Sequence, residues 1–385
     1  MIELPAELDW CFPFCPAPPE WIVDWSGLTD SFEWIRAMAN CPQDPTWHAE
    51  GDVGVHTRLV CEQLAGFEAW RELPELHRSI VFAATLMHDV AKPAVTCERD
   101  GRIRAPKHAM KGAQLVRRLL YQSLLPTKSA GHLAVREQIV GLVRKHGVPL
   151  NLLDTADPNR IVITASQSVR CDWLAMVAEA DVLGRECPDK PELLQRLSLF
   201  RDVCEENHCL SHPWRFVSDH TRRVYLSSRN ANPGREVFDD TCCEVVVMSG
   251  IPGCGKDTWI AKNLAQYPVV SLDNLRTEMG IDPSKNQGQV GQHARELARA
   301  FLRREESFVW NATNLTQTVR QPLLSLFHDY RARTRIVYVE SAWETILRRN
   351  IDREEQVPTS VLQRLAGRFE VPTVEEAHDV QYTVN

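Results

Sequence analysis

The sequence lacks any run of about 18 or more apolar residues, so it offers no candidate for a membrane-spanning helix. Residues 1–15 lack a basic stretch and carry acidic groups instead, and so do not read as a secretory signal. Internal repeats and low-complexity tracts are absent. A surplus of positive charge is missing too: 44 Lys and Arg face 51 Asp and Glu, a net charge of -7 with a pI near 6.0. Coating long nucleic acid takes many cationic contacts, which argues against that role. An enzyme gripping only a strand end needs a few local cations. The 12 cysteines show no disulfide framework, being scattered along a chain without a secretion signal. Reduced thiols and a cytoplasmic location are expected.

What is present fits a globular protein: 44% hydrophobic and 25% charged residues. A length of 385 residues predicts two domains at roughly 100–200 residues each. Residues 1–50, rich in Pro and Trp, read as an irregular arm around the first domain. From Asp52 to Val203, apolar residues recur at helical spacing and β-type runs are few. The turn formers Ser227 to Gly234 mark the boundary. Beyond it, short β-branched runs at Glu244–Met248, Val269–Leu272, Ser307–Trp310 and Arg335–Val339 alternate with helical stretches. That alternation implies a parallel sheet with right-handed crossovers. The expectation is an all-α first domain over 1–232 and an α/β second domain over 241–385.

In the second domain, a strand runs into Ser249-Gly250-Ile251-Pro252-Gly253-Cys254-Gly255-Lys256-Asp257-Thr258 and then into a helix. This is the context of a phosphate-binding P-loop. Its glycines let backbone N–H groups face phosphate oxygens, and the helix N-terminus adds positive charge. Lys256 would neutralise the β- and γ-phosphates. The usual motif has Ser or Thr after the lysine to hold Mg²⁺; here the residue is Asp257. It reads either as a Mg²⁺ ligand or as an acid stabilised by the helix dipole.

Asp273 follows the next strand, where it could take the proton of an attacking hydroxyl. Arg276, one helical turn on, could fork onto a substrate phosphate. The pair also reads as a helix N-cap aspartate, Asp273, with a surface arginine. Arg348, Arg349 and Arg353 fall on a predicted helix over 343–353, with Arg349 and Arg353 on one face. They read as a lid over the triphosphate or as a solvated face paired with Asp352 and Glu354.

The order of these motifs, with Asn311-Ala312-Thr313-Asn314 between them, resembles the polynucleotide 5′-kinase branch of P-loop phosphotransferases over about residues 243–370. The resemblance implies that Asp273 is the general base on a 5′-hydroxyl. It implies that Arg276 contacts the phosphate of the same strand, and that Arg349 and Arg353 contact the donor. Asn311 departs from the more usual aspartate.

His-Asp occurs three times, so the dipeptide alone says nothing. Context separates the three. His328-Asp329 sits in a loop-like polar stretch and His378-Asp379 near the C-terminus. His88-Asp89 ends an apolar helix, Ile80–Met87, closed by Lys92-Pro93. A polar pair at a buried helix tip is costly unless bonded or coordinated. His56, His108, His146 and Asp181 also fall on apolar stripes of their helices. One such residue is more often a satisfied core group. Five helices each turning one inward are most simply explained by convergence on metal ions.

That order resembles the HD phosphohydrolase superfamily over about residues 50–190, supported by Glu50 to Thr57 and by Glu179-Ala180-Asp181. The resemblance implies that His56, His88, Asp89 and Asp181 bind a first metal. His108 and His146 would serve a second metal or the substrate phosphate. Imidazole with carboxylate suits Mn²⁺, Fe²⁺, Co²⁺, Ni²⁺ or Zn²⁺. Lys92 and Lys107 read as phosphate clamps or as surface lysines. His48 is a substrate-side candidate. Cys204, His208 and His212 repeat at four-residue spacing but cannot surround a tetrahedral ion from one helix.

The tandem resembles the bacterial HD-domain polynucleotide kinase family. That implies a 5′-hydroxyl kinase using ATP or GTP with Mg²⁺, joined to a 2′,3′-phosphoesterase. RNA or DNA strand ends would be the substrate, with a nucleic-acid ligase acting next and no membrane partner. Two other readings stay open: a small-molecule kinase fused to a nucleotidase, and a nucleotide-gated sensor without turnover.

Overall fold

A computed structural model describes residues 2–228, 231–281, 287–353 and 356–385. The chain divides into two compact units, one formed by residues up to Leu125 with Gly131–Trp214, the other by Pro126–Ala130 with Arg215–Asn385. No helix among the described residues is long and apolar enough to cross a membrane.

The first unit is helical. Its principal helices are Val53–Gly66, Glu75–Met87, His108–Leu119, Ala130–Lys145, Pro158–Ser166, Cys171–Gly184 and Lys190–Glu206. Their starts follow local chemistry. Asp52 accepts from the Val55 N–H at 2.9 Å, and Asp157 accepts from the Arg160 N–H at 3.0 Å just before Pro158. The Cys171–Gly184 helix runs through the core, with Trp173, Leu174, Val177 and Ala178 wholly buried. Each such large apolar side chain contributes roughly 1.5–3 kcal/mol. Its end is set by close approach: a Cβ on Gly184 would lie 2.8 Å from the Val60 backbone nitrogen.

The N-terminal arm wraps this core. Phe12, Leu28, Ile35 and Met38 are buried in it, Trp10 donates to the Leu124 carbonyl at 2.9 Å, and Trp21 packs on Trp70. The arm is not wholly irregular, since Trp25–Ser31 and Glu33–Arg36 are helical. Within the span read as helical lies a small antiparallel hairpin, β1 (Cys97–Arg99) and β2 (Arg102–Arg104), turned by Asp100-Gly101, both at positive φ.

The second unit holds a five-stranded parallel sheet, order β4-β5-β3-β6-β7: β3 Cys243–Ser249, β4 Val269–Ser271, β5 Phe308–Asn311, β6 Ala332–Glu340 and β7 Asp379–Val384. The four predicted strands are present; β7 is additional and pairs with β6, Val380 opposite Ile336. His378-Asp379 therefore leads into an edge strand. His328-Asp329 ends the Gln317–Asp329 helix and is not a loop. The Asp219–Ser227 helix, read as preceding the boundary, belongs to this unit: Arg222 bonds the Val374 and His378 carbonyls, and His220 meets His378 at 3.2 Å. Arg229 and Asn230 of the predicted boundary lie outside the described residues, as does Glu354.

Candidate functional site

In the first unit, five helices or their ends deliver polar side chains to one place. His56 comes from the first turn of Val53–Gly66. His88 and Asp89 follow Met87, and His108 opens its helix. His146 comes directly after Lys145, and Asp181 sits in the central helix. Lys92 does not close the preceding helix but starts a short new one, Lys92–Val95.

The hydrogen bonds fix each imidazole. Nδ1 of His88, His108 and His146 donates to the carbonyl three residues earlier, at 2.7, 2.9 and 2.8 Å. His56 Nδ1 donates to Glu50 Oε1 at 2.8 Å, an oxygen that also accepts from His48 Nδ1 at 2.8 Å. With Nδ1 donating outward, each Nε2 is aimed inward, where it offers a lone pair whenever it carries no proton. His56 Nε2 lies 3.2 Å from Asp181 Oδ1, and His88 Nε2 lies 3.1 Å from Asp89 Oδ2. His108 and His146 bring their Nε2 atoms to 3.3 Å.

The buried Nε2 of His56, Nε2 of His88 and Oδ1 of Asp89 make no hydrogen bond. A lone pair facing a carboxylate oxygen at such a distance repels it unless a proton or a metal cation lies between them. Two triads gather their ligand atoms within 4.8 Å: His56 with His88 and Asp181, and Asp89 with His108 and His146. A third gathers His48, Glu50 and His56.

Burial works against charge on Asp89, but Lys92, His88 and His108 outweigh it and hold the carboxyl well below the usual range. Burial likewise opposes Asp181, and Arg185 outweighs it. Burial, then His88, pushes His146 down to about 4, so it stays a neutral ring at pH 7.

A cavity of about 430 Å³ opens on this cluster, its rim formed by His48, Lys92, Asn151, Arg185 and Arg196. Lys92 Nζ stands 2.7 Å from Asp89 and 2.6 Å from Gln43. Lys107 is exposed and does not line the cavity. Sequence reasoning missed Arg185, whose fork engages both oxygens of Asp181. The four-residue spacing of that pair, Asp181 in the last turn of the helix and Arg185 just past its end, was the available signal. The Cys204, His208 and His212 spacing does not lie on one helix, because the helix ends at Glu206 and His208 has φ 51°.

In the second unit, β3 leads into the P-loop and the Lys256–Asn263 helix. Gly250, Gly253 and Gly255 have φ 150°, 85° and 99°. A Cβ at Gly250 would lie 2.4 Å from the Val339 carbonyl, so only glycine fits there. Lys256 Nζ donates to the Gly250 carbonyl at 2.9 Å, and Cys254 is buried beneath the loop. Asp257 and Thr258 stand exposed on the first helical turn.

The segment after β5 laces to this loop. Gly250 N–H donates to the Thr313 carbonyl at 3.0 Å, and Asn314 Nδ2 to the Met248 carbonyl at 2.7 Å. A buried Arg320 holds the Asn314 carbonyl at 2.9 Å while forking onto Glu376 at 2.7 and 2.8 Å.

Beyond β4, Asp273 is exposed and paired with Arg276 in the Leu272–Glu278 helix, whose N-cap is Ser271 rather than Asp273. Arg349 reaches the P-loop, donating to the Gly253 carbonyl at 3.2 Å and to Ser341 at 3.0 Å. Arg353 departs from expectation. The helix runs Trp343–Ile351 and stops, because Asn350 bonds both the N–H and the carbonyl of Val357, so Arg353 lies beyond it and exposed.

The family model AAA_33, described as AAA domain, matches residues 245–372. The bifunctional polynucleotide phosphatase/kinase of Schizosaccharomyces pombe is 27% identical over 169 residues, 43% of this chain and 38% of that protein. The L-seryl-tRNA(Sec) kinase of Methanococcus maripaludis is 20% identical over 143 residues, 35% of this chain and 56% of that protein. The multifunctional CCA protein of Shewanella frigidimarina is 32% identical over 100 residues, 25% of this chain and 21% of that protein. The chain thus spans between about a fifth and just over half of the length of these curated relatives. The second unit is a kinase-like P-loop domain.

Proposed function

We propose that the chain heals broken nucleic-acid ends. On this reading residues 241–385 carry a kinase that moves the γ-phosphate of ATP or GTP to a 5′-hydroxyl. The helical unit, up to Leu125 with Gly131–Trp214, carries an HD-type metal-dependent phosphoesterase that clears a 2′,3′-phosphate. Together the two reactions leave ends that a ligase can join. The observation that carries the reading is the set of buried, unbonded imidazole and carboxylate atoms in a chain that also holds a P-loop.

Those atoms fit divalent ions. His56, His88, Asp89 and Asp181 would hold one; His108 and His146, with Asp89, would hold a second or the substrate phosphate. A bound divalent metal supplies an acidic water as nucleophile. Lys92 neutralises a phosphate at the cavity mouth. Glu50 keeps His56 in the tautomer that ligates.

In the kinase, the loop N–H groups cradle the donor while Lys256 neutralises its β- and γ-oxygens. Asp273 accepts the proton of the 5′-hydroxyl, and Arg276 orients the adjoining phosphate. Arg349, with Arg353, faces charge developing on the donor. The bifunctional relative in fission yeast supports the pairing of kinase with phosphatase.

The test is end-labelling with paired variants. Lys256→Ala should abolish phosphate transfer to a 5′-hydroxyl oligonucleotide and spare release of terminal phosphate. Asp89→Ala should do the reverse. Transfer to mononucleosides alone, or loss of both reactions from one substitution in a folded protein, rejects the proposal.

A further inference from the structure

P-loop phosphotransferases hold Mg²⁺ through two polar groups. One is a neutral hydroxyl on the residue after the P-loop lysine; the other is a carboxylate at the end of a neighbouring strand. Here both positions are altered, and in opposite senses. The helix position is the acid Asp257, and the end of β5 is the neutral amide Asn311. The two side chains touch: Asn311 Nδ2 donates to Asp257 Oδ1 at 2.6 Å.

We infer that Asp257 and Asn311 have traded places as Mg²⁺ ligands, so that the P-loop helix supplies the carboxylate and the strand supplies the neutral oxygen. This rests on the kinase reading above.

The chemistry is balanced by the trade. A Mg²⁺ site of this kind takes one or two carboxylates and fills its remaining positions with water and phosphate oxygens. One carboxylate and one neutral oxygen are still present, on opposite sides of the same contact. The amide is 8% exposed and turns its Nδ2 towards Asp257. That leaves Asp257 Oδ2 and Asn311 Oδ1 to face an ion or its waters. A helix-capping acid needs no such partner from a strand, because the dipole alone stabilises it. The sheet fixes the contact: β5 lies next to β3 with Trp310 opposite Val247, so Asn311 is the last strand residue beside the loop.

The trade predicts reciprocal rescue. Binding of a fluorescent ATP analogue is measured with and without Mg²⁺, and Mn²⁺ occupancy is followed by electron paramagnetic resonance with a non-hydrolysable ATP analogue. In the wild-type protein Mg²⁺ should tighten nucleotide binding. Asp257→Ser and the isosteric Asp257→Asn should each lose on the order of tenfold of that tightening, because the carboxylate of the pair is gone. Asn311→Asp should weaken metal-free nucleotide binding by setting two carboxylates against the donor's phosphates. The double variant Asp257→Ser with Asn311→Asp should regain the Mg²⁺ response and the Mn²⁺ signal.

Full retention of the Mg²⁺ response by Asp257→Asn overturns the inference. So does a folded double variant no better than Asp257→Ser. A wild-type protein that binds no nucleotide under either condition fails the kinase reading itself, which is a different result.

Discussion

The helical unit and the α/β unit arrange their polar groups in opposite ways. In the first, the polar groups are mostly buried, oriented by bonds to their far nitrogens, and gathered within coordination reach of one another. In the second, the groups that would meet a phosphate are now occupied within the protein. Lys256 rests on a loop carbonyl, Arg276 on Asp273, and Arg349 on the Gly253 carbonyl. On the proposed reading the first site would take a resident ion. The second has contacts that a substrate must displace. A buried charge cluster is costly without counter-charges, which Lys92 and Arg185 supply in part, whereas half-buried cations can pair internally until a ligand arrives.

The sharpest way to break this comparison is chelation. Removing divalent ions should destabilise the first unit and leave the second nearly unchanged. A ligand present at a hundred times its Kd adds about 2.7 kcal/mol to the state that binds it. Two melting transitions, of which only one moves with chelator, would fit the contrast. Equal shifts of both, or none, would refute it. Elemental analysis of the purified protein should find a divalent transition metal, lost in a His88→Ala variant.

A smaller effect probes how the first site holds its shape. The Glu50 side chain is buried and takes three donors: His48, His56 and the Glu186 N–H. Glu50→Gln keeps the volume but weakens the anchor on His56. Metal affinity should fall about 10–100-fold, as it does when a carboxylate behind a ligating histidine is lost. Unchanged affinity would mean that the ring is placed by packing alone.

How much of this was legible differs between the units for the same physical reason. The P-loop is contiguous, since a strand, a tight glycine turn and a helix must follow one another, so eight neighbouring letters announce it. Its partners Asp273 and Arg349 lie at strand ends and on a following helix, where pattern also pointed. β7 escaped because a single edge strand with alternating Val380, Tyr382 and Val384 carries a weak signal beside the polar residues around it. The hairpin at Asp100-Gly101 escaped because strands of three residues are shorter than any periodicity can show.

In the helical unit, His56, His88, Asp89, His108, His146 and Asp181 could be nominated from their places on apolar stripes. Their meeting is a tertiary fact. Glu50 and Arg185 were not given roles, because what they do depends on partners brought in by folding: Glu186 lies 136 residues from Glu50. Arg353 was misplaced for a similar reason. The side chain that ends its helix, Asn350, acts through a bond to Val357, and residue periodicity cannot see that bond.

The smallest expected effect tests whether the cations of the second unit are reserved for substrate. Arg276 now pairs with Asp273, three residues away and exposed, a pair worth little in water. If its role is to orient a strand's phosphate, the planar fork matters and a point charge does not replace it. Arg276→Lys should therefore raise KM for a 5′-hydroxyl oligonucleotide by about tenfold, roughly one lost charge-assisted hydrogen bond. KM for ATP and the release of terminal phosphate should hold. A surface ion pair serving only the helix would leave all three constants where they were. A rise in the KM for ATP instead would move Arg276 to the donor's side.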